Sequence, residues 1–137
     1  LQVRSTGRLV AADVATLPYP GIATDYKPLI ITMLSVADGV GVVTENLYPG
    51  RFRYVEELRR LGADIALDGH HAVVTGVPEL VGCDVESHDI RAGAAMVVAG
   101  LAATGATRIS GIHHIDRGYD DLVGRLQRVG ADIERIG

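Results

Sequence analysis

The chain has 137 residues, of which 47% are hydrophobic and 22% are charged, and its formal net charge is −4. This length and composition predict one compact domain that buries roughly two thirds of the surface exposed by its unfolded chain. The net negative charge argues against general nucleic-acid binding, which needs a basic face to neutralise phosphates. No apolar run reaches the roughly 18 residues of a membrane span, so we expect no membrane partner. With the single Cys83 and no expected signal peptide, we expect a cytoplasmic protein without an internal disulfide.

The predicted elements begin with an alternating strand over residues 1–6. A helix, a strand, a helix and two strands follow, over 27–37, 41–45, 53–61, 64–67 and 72–75. Asp68-Gly69, between the last two strands, predicts a hairpin with a type I′ turn. Further along, helices are predicted over 91–103 and 119–129, and strands over 107–112 and 132–136.

Two stretches of the chain repeat each other at an offset of about 66 residues. Each begins with an acid and a base, at Asp25–Lys27 and Asp89–Arg91, and each ends on Gly-Ala-Asp-Ile. A period of this length predicts a module of several elements, here βαβαββ when the incoming strand is counted. We expect the modules to cover about 17–76 and 80–137, and residues 1–10 to form the closing strand of a preceding unit. Both ends of the chain are expected to continue into a larger protein.

The charge pattern predicts the layers of the fold. Residues 29–37 and 92–103 carry no charge on any face, which is typical of buried helices. The strands alternate between apolar and polar residues, so each sheet should have one solvated face. The sequence therefore predicts an α/β fold, an inside-out α/β barrel domain built of βαβαββ repeats with buried helices and outer sheets.

The acids that precede the two buried helices have two interpretations. Asp25 and Asp89 stand where a side chain can cap a helix N-terminus. Alternatively, Lys27 or Arg91 in the first helical turn forms an anion site together with the free N–H groups of that turn. For Arg91, a salt bridge to Asp89 is a further alternative.

Two loops end in an arginine beside a glycine, at Arg51 and at Arg117. A guanidinium on such a loop can bind a carboxylate or phosphate through two parallel hydrogen bonds, although uncommitted surface arginines are common. The histidine pairs at 70–71 and 113–114 are adjacent in sequence, and neighbours on a strand face opposite ways. We therefore expect no metal and no cofactor.

Four motifs occur in order, over 17–25, over 44–48 with Arg51-Phe52, over 88–92 and over 114–119. They resemble the UDP-N-acetylglucosamine 1-carboxyvinyltransferases, a family of enolpyruvyl transferases. The resemblance implies transfer of enolpyruvyl from phosphoenolpyruvate to the 3′-hydroxyl of UDP-N-acetylglucosamine, with release of phosphate. This is the first committed step of peptidoglycan synthesis, on which cell-wall biogenesis, cell shape and cell division depend. The family fold has two inside-out domains of three βαβαββ units each, and the chain resembles about the last third of such an enzyme.

The resemblance also implies roles around the sugar nucleotide. Asp25 matches the carboxylate that holds the sugar 3′-hydroxyl and is a proposed general base. Leu47 and Tyr48 match positions that line the UDP-sugar site. Arg51 matches an arginine next to the catalytic carboxylate.

For phosphoenolpyruvate, the resemblance implies that Arg91 and Arg117 bind this substrate. Asp89 matches a carboxylate suggested to take part in proton transfer at the enolpyruvyl methylene. A loop with a reactive Cys or Asp and a phosphoenolpyruvate-binding Lys belong to the N-terminal domain, and Cys83 does not match that loop. We therefore expect this segment to be inactive without the N-terminal domain as its partner.

Two alternatives remain open at this stage. The first is a transferase of the 5-enolpyruvylshikimate-3-phosphate synthase type, which shares the repeat and the reaction class. The second is a non-catalytic anion-binding module whose repeats serve only for stacking.

Overall fold

The computed structural model describes residues 2–48 and 50–137. Its strands are β1 (Val14–Ala15), β2 (Val40–Thr44), β3 (Asp64–Asp68), β4 (His71–Thr75), β5 (Asp84–Glu86) and β6 (Arg108–Ser110). Its helices are α1 (Lys27–Leu34), α2 (Val55–Arg60), α3 (Ile90–Ala102), α4 (His113–Asp116) and α5 (Leu122–Arg128). A 3₁₀ turn over Thr24–Tyr26 leads into α1.

The first module forms a four-stranded sheet in the order β1-β2-β4-β3. β1 and β2 are parallel and are joined through α1, whereas β4 pairs antiparallel with both β2 and β3. The element order β1-α1-β2-α2-β3-β4 is the predicted βαβαββ order, but its first strand is Val14–Ala15 and not the strand predicted at the start of the chain. The second module repeats its beginning, since β5 and β6 are parallel and are joined through α3.

The helices α1 and α3, which contain the two uncharged runs, pack against each other and form the centre of the core. Every residue of α3 from Ala92 to Val97 is buried, and α1 contributes Ile31 and Leu34 to the same cluster. The sheet covers these helices with alternate residues such as Val43 and Val74, while its other residues face outward. The predicted α/β fold with buried helices and outer strands is confirmed.

The predicted strands at the two ends are wrong for the described residues. Gln2 to Thr6 are exposed and outside any strand, and residue 1 lies outside the described residues. Residues 132–136 likewise form no strand. An alternating pattern needs a neighbouring strand to satisfy its backbone groups, and these segments have none among the described residues. The short strand β1 was not predicted.

The hairpin is formed, but its turn differs from the prediction. Asp68 pairs with His71, so the loop consists of Gly69 and His70. Gly69 has φ +57, whereas His70 is not among the residues with positive φ. A type I′ turn requires positive φ at both central residues, and glycine at the first position alone is typical of type II′.

Candidate active site

The candidate site lies where parallel strands end and buried helices begin. Thr16 follows β1 and Glu45 follows β2, and the segment that ends in Asp89 follows β5. The carboxyl ends of parallel strands meet at one edge of a sheet, which is where open α/β folds bind ligands. This topology brings residues that are distant in sequence to one end of the domain.

Asp25 and Arg91 connect the two modules at this end. Arg91, in the first turn of α3, donates from Nε to Oδ1 of Asp25, which stands in the 3₁₀ turn before α1. Their side chains are 42% and 57% exposed. The pair therefore lies at the surface, where both groups are accessible to a ligand.

The two acids that precede the helices have different roles. Asp89 caps α3, because its Oδ1 accepts from the N–H groups of Arg91 at 2.8 Å and Ala92 at 2.9 Å. No side chain caps α1, and Asp25 pairs with Arg91 instead. The capping interpretation is thus confirmed for Asp89 and wrong for Asp25. The alternative salt bridge between Arg91 and Asp89 is also wrong, since Arg91 pairs with Asp25.

A buried ion pair lies beneath this surface. Lys27 and Glu45 are each 1% exposed, and Nζ of Lys27 is 2.7 Å from Oε2 of Glu45. The ammonium also lies 4.2 Å from the centre of the Phe52 ring. The alternative in which Lys27 contributes its charge to an anion site is not favoured, because this charge is paired with Glu45.

Glu45 accepts hydrogen bonds from three segments of the chain. The hydroxyls of Thr16 and Thr24 each donate to it at 2.7 Å. The N–H groups of Leu47 and Tyr48 donate to Oε1 at 2.8 and 3.1 Å. One carboxylate thus joins the end of β1, the turn before α1 and the loop after β2.

These surroundings shift the pKa values of both members of the buried pair. Burial lowers the pKa of Lys27, although the hydrogen bond and charge of Glu45 oppose that shift. Burial alone would raise the pKa of Glu45. The hydrogen bonds from Lys27, Thr24, Thr16 and the Leu47 amide outweigh burial and hold the pKa of Glu45 well below its usual range. Glu45 is therefore a carboxylate at neutral pH.

Above the pair is a cleft of about 350 Å³. It is lined by Thr24, Lys27, Pro28, Gly50, Arg51, Arg53, Tyr54, Asp89 and Arg91. Arg51 and Arg53 are exposed and form no ion pair with any residue in 2–48 or 50–137. The cleft therefore presents an excess of positive charge, in a chain whose net charge is −4, and it suits an anionic ligand.

Tyr54 forms part of the wall of this cleft. Its hydroxyl is buried and has no hydrogen-bond partner among the described residues. Burial, together with the nearby charges of Glu45 and Asp89, raises the pKa of Tyr54. The phenol therefore stays protonated and retains a hydrogen to donate.

Comparison with protein families identifies the fold. A model described as EPSP synthase (3-phosphoshikimate 1-carboxyvinyltransferase) matches residues 2–126. This chain belongs to the EPSP synthase family. A solved structure, the enolpyruvyl transferase NikO from Streptomyces tendae, matches with a TM-score of 0.86 at 32% identity, over 95% of this chain and 30% of that chain. EPSP synthase from Acinetobacter baumannii, at 23% identity and a TM-score of 0.63, matches over 83% of this chain and 27% of that chain and supports the fold alone.

Curated relatives with higher sequence identity indicate which kind of enzyme this chain resembles. A UDP-N-acetylglucosamine 1-carboxyvinyltransferase from Corynebacterium efficiens is 52% identical over 126 residues, which are 92% of this chain and 30% of that protein. UDP-N-acetylglucosamine 1-carboxyvinyltransferase 3 from Caldanaerobacter subterraneus subsp. tengcongensis is 48% identical over 136 residues, which are 99% of this chain and 33% of that protein. The resemblance found in the sequence is confirmed. The chain spans about a third of the length of these relatives.

The structure of this family member brings several of the predicted site residues together. Arg51, Asp89 and Arg91 line the cleft, and Asp25 is paired with Arg91. Tyr48 stands beside Arg51, whose guanidinium lies 4.0 Å from the centre of the Tyr48 ring. Leu47 is half-buried and is held through its amide by Glu45. Asp25, Leu47 and Tyr48 lie next to the cleft without lining it.

Arg117, by contrast, neither lines the cleft nor forms a side-chain contact with a described residue that does. It is exposed, at the end of α4, and makes no side-chain hydrogen bond or ion pair within the described part of the chain. The next residue, Gly118, packs so closely on Ile90 that a Cβ there would overlap the Ile90 side chain. Arg117 is therefore adjacent in sequence to a residue that packs on Ile90, the first residue of α3. Arg91 is the next residue of that helix.

Sequence reasoning assigned no role to Glu45 or Tyr54, and it counted Arg53 only among the arginines that a local basic pocket could include. Glu45 had a detectable signal, because a charged residue at the end of an apolar strand is unusual unless it is paired. Arg53 and Tyr54 belong to a segment that was interpreted as the start of a helix, and the structure begins α2 only at Val55. Among the described residues, no group of His, Cys, Asp and Glu could hold a metal ion. None of the described helices has the length and apolar character needed to cross a membrane.

Proposed function

We propose that this chain supplies part of the active site of a UDP-N-acetylglucosamine 1-carboxyvinyltransferase. The enzyme transfers enolpyruvyl from phosphoenolpyruvate to the 3′-hydroxyl of UDP-N-acetylglucosamine and releases phosphate. The observation that carries the proposal is the cationic cleft of a net acidic chain, with Asp25 held beside it by Arg91. Curated relatives about 50% identical carry this enzyme name, which supports the proposal.

The charges suit the two substrates. Phosphoenolpyruvate and the diphosphate of UDP-N-acetylglucosamine are both anions, and binding them side by side needs several cations. Arg91 and Arg117 bind phosphoenolpyruvate, and Arg51 lies on the UDP-sugar side together with Leu47 and Tyr48. The exposure of Arg51 leaves its donors available to a ligand while its guanidinium plane is fixed on the Tyr48 ring.

The acids suit the proton transfers. The sugar oxygen attacks C2 of phosphoenolpyruvate while C3 gains a proton, and loss of a C3 proton with phosphate then restores the double bond. Asp25 orients the 3′-hydroxyl and accepts its proton, and Asp89 takes part in proton transfer at C3. The hydrogen bond from Nε of Arg91 holds the carboxylate of Asp25 beside the cleft, where it can reach the 3′-hydroxyl.

The proposal assigns only part of the enzyme to this chain. The N-terminal domain supplies the remaining substrate contacts, and the segment alone is inactive. We place the protein in peptidoglycan synthesis in the cytoplasm, and through it in cell-wall biogenesis, cell shape and cell division.

A chimeric enzyme tests this function. The matching segment of the Corynebacterium efficiens relative is replaced by this chain, and phosphate release is measured with phosphoenolpyruvate and UDP-N-acetylglucosamine. We expect turnover that requires both substrates in the chimera and none with the 137-residue chain alone. A folded chimera that is inactive, or one that accepts shikimate 3-phosphate instead, contradicts the proposal. Anion binding that survives Arg91→Lys with Arg117→Lys supports a non-catalytic module.

A further inference from the structure

Glu45 is not among the residues to which a role in substrate binding was assigned, yet it contacts the segments that carry them. Its Oε1 accepts from the amides of Leu47 and Tyr48, and its Oε2 accepts from the hydroxyl of Thr24, which directly precedes Asp25. The carboxylate thus binds the loop that carries the UDP-sugar residues and the turn that carries Asp25.

A second set of hydrogen bonds fixes the same loop to β1. The hydroxyl of Thr16 donates to Glu45 at 2.7 Å and accepts from the amide of Asn46 at 3.0 Å. The side-chain amide of Asn46 donates to the carbonyl of Thr16 at 3.1 Å. The loop after β2 is therefore held by hydrogen bonds to side chains, because it leaves the strand ladder at Thr44.

We infer that Glu45, held by Lys27 and Thr16, is a positioning residue that fixes the UDP-sugar side of the site in its binding conformation. This inference rests on the proposed function. Glu45 is 1% exposed and lies behind the cleft lining, so it acts through the amides of Leu47 and Tyr48 and not by touching substrate. Binding to a loop that is already ordered avoids the entropy cost of ordering it at the time of binding.

The chain offers a matched pair of variants for the test. Thr16→Val removes the hydroxyl that joins Glu45 to Asn46 and keeps the side-chain shape. Thr32→Val makes the same change at another buried threonine, whose hydroxyl donates to the carbonyl of Pro28 within α1 and does not contact the loop. A third variant, Glu45→Gln with Lys27→Met, removes both buried charges together so that neither is left unpaired.

Hydrogen exchange on the 137-residue chain tests the anchoring. The amides of Leu47 and Tyr48 should be protected in the unmodified chain, and Thr16→Val should reduce that protection about three- to tenfold, as expected for the loss of one hydrogen bond. Thr32→Val should leave it unchanged. Unprotected Leu47 and Tyr48 amides in the folded, unmodified chain overturn the inference, as does equal loss in the two threonine variants.

Kinetics in the chimeric enzyme test the consequence for binding. Thr16→Val should raise the KM for UDP-N-acetylglucosamine about three- to tenfold and leave the KM for phosphoenolpyruvate within about twofold. The double variant should change the same KM by a larger factor, and Thr32→Val should change neither. Equal changes in both KM values, or none in Thr16→Val, overturn the inference while the proposed function stands. An inactive but folded parent chimera counts against the proposed function, and the exchange measurement still decides the anchoring.

Discussion

Arg91 is hydrogen-bonded through Nε to the carboxylate of Asp25, a residue 66 positions earlier in the chain. The two residues belong to the beginnings of different modules, Asp25 before α1 and Arg91 in the first turn of α3. Their contact follows from the packing of α1 against α3 in the core. It brings the acid of the first module and the base of the second module together at one end of the domain, beside the cationic cleft.

Asp25→Asn separates the structural from the functional role of this pair. Both side chains are about half exposed, and exposed ion pairs contribute about 0–1 kcal/mol to stability. We expect the free energy of unfolding of the chain, measured with urea, to fall by no more than about 1 kcal/mol. In the chimera, loss of the general base should lower kcat about 10²- to 10⁴-fold. A large loss of stability with kcat unchanged would assign Asp25 a structural role.

Unlike the exposed pair of Asp25 and Arg91, the buried pair of Lys27 and Glu45 should lose much stability when one member is removed. Glu45→Gln leaves a buried ammonium without its counter-charge, which typically costs about 3–5 kcal/mol. Adding Lys27→Met removes that stranded charge, so the double variant should be more stable than Glu45→Gln alone. Urea unfolding of the single and double variants measures this coupling. Additive losses would contradict a direct interaction between the two charges.

The same pair predicts a pH dependence. The folded-state pKa of Glu45 lies below its ordinary value of about 4.5, so the ionised group contributes stability above that pH. This contribution is lost as the pH falls below about 4.5 towards the folded-state pKa, because the unfolded chain binds the proton first. In that range, the unmodified chain should lose stability relative to the double variant Glu45→Gln with Lys27→Met by up to about 1.4 kcal/mol per pH unit. Thermal unfolding of both proteins between about pH 3 and pH 7 provides the measurement. A stability difference between them that does not change with pH would disprove the assignment.

Asp89 allows capping to be separated from catalysis. Asp89→Ala removes the acceptor for the amides of Arg91 and Ala92 and should destabilise the chain by about 1 kcal/mol. Asp89→Asn retains a capping oxygen and should cost only a few tenths of that. If Asp89 also transfers protons, Asp89→Asn should lower kcat in the chimera as severely as Asp89→Ala. Full activity of Asp89→Asn would limit this residue to capping.

The position of Arg117 depends on the contact between Gly118 and Ile90. Gly118→Ala would place a methyl group in the space of the Ile90 side chain and should destabilise the chain by about 1–3 kcal/mol. Ile90→Ala in the same chain opens that space, so the double variant should lose less stability than the sum of the two single variants. Double-mutant unfolding measures this interaction energy. Strict additivity would show that the two residues do not touch.

The repeat pattern predicted the elements of the first module well because its information is local. The uncharged run from Leu29 to Ala37 and the alternation around Ile65 predicted α1 and β3, which formed where these patterns occur, although Leu67 of β3 is exposed. The prediction failed at residues 132–136, where the alternation is similar but no strand pairs with the segment among the described residues. A strand depends on its neighbour, which a local pattern does not contain.

Sequence alone determined the α/β class, the buried helices and the resemblance to enolpyruvyl transferases, and it left the capping of α3 by Asp89 as one of several alternatives that the structure decided. Only the tertiary structure decided that Asp25 pairs with Arg91, that Lys27 forms a buried ion pair with Glu45 and that Arg117 lies outside the cleft lining. Periodicity and capping are properties of residues a few positions apart. The partner of a charged side chain is decided by how α1 and α3 pack and where the parallel strands end, which depends on contacts between residues far apart in the chain.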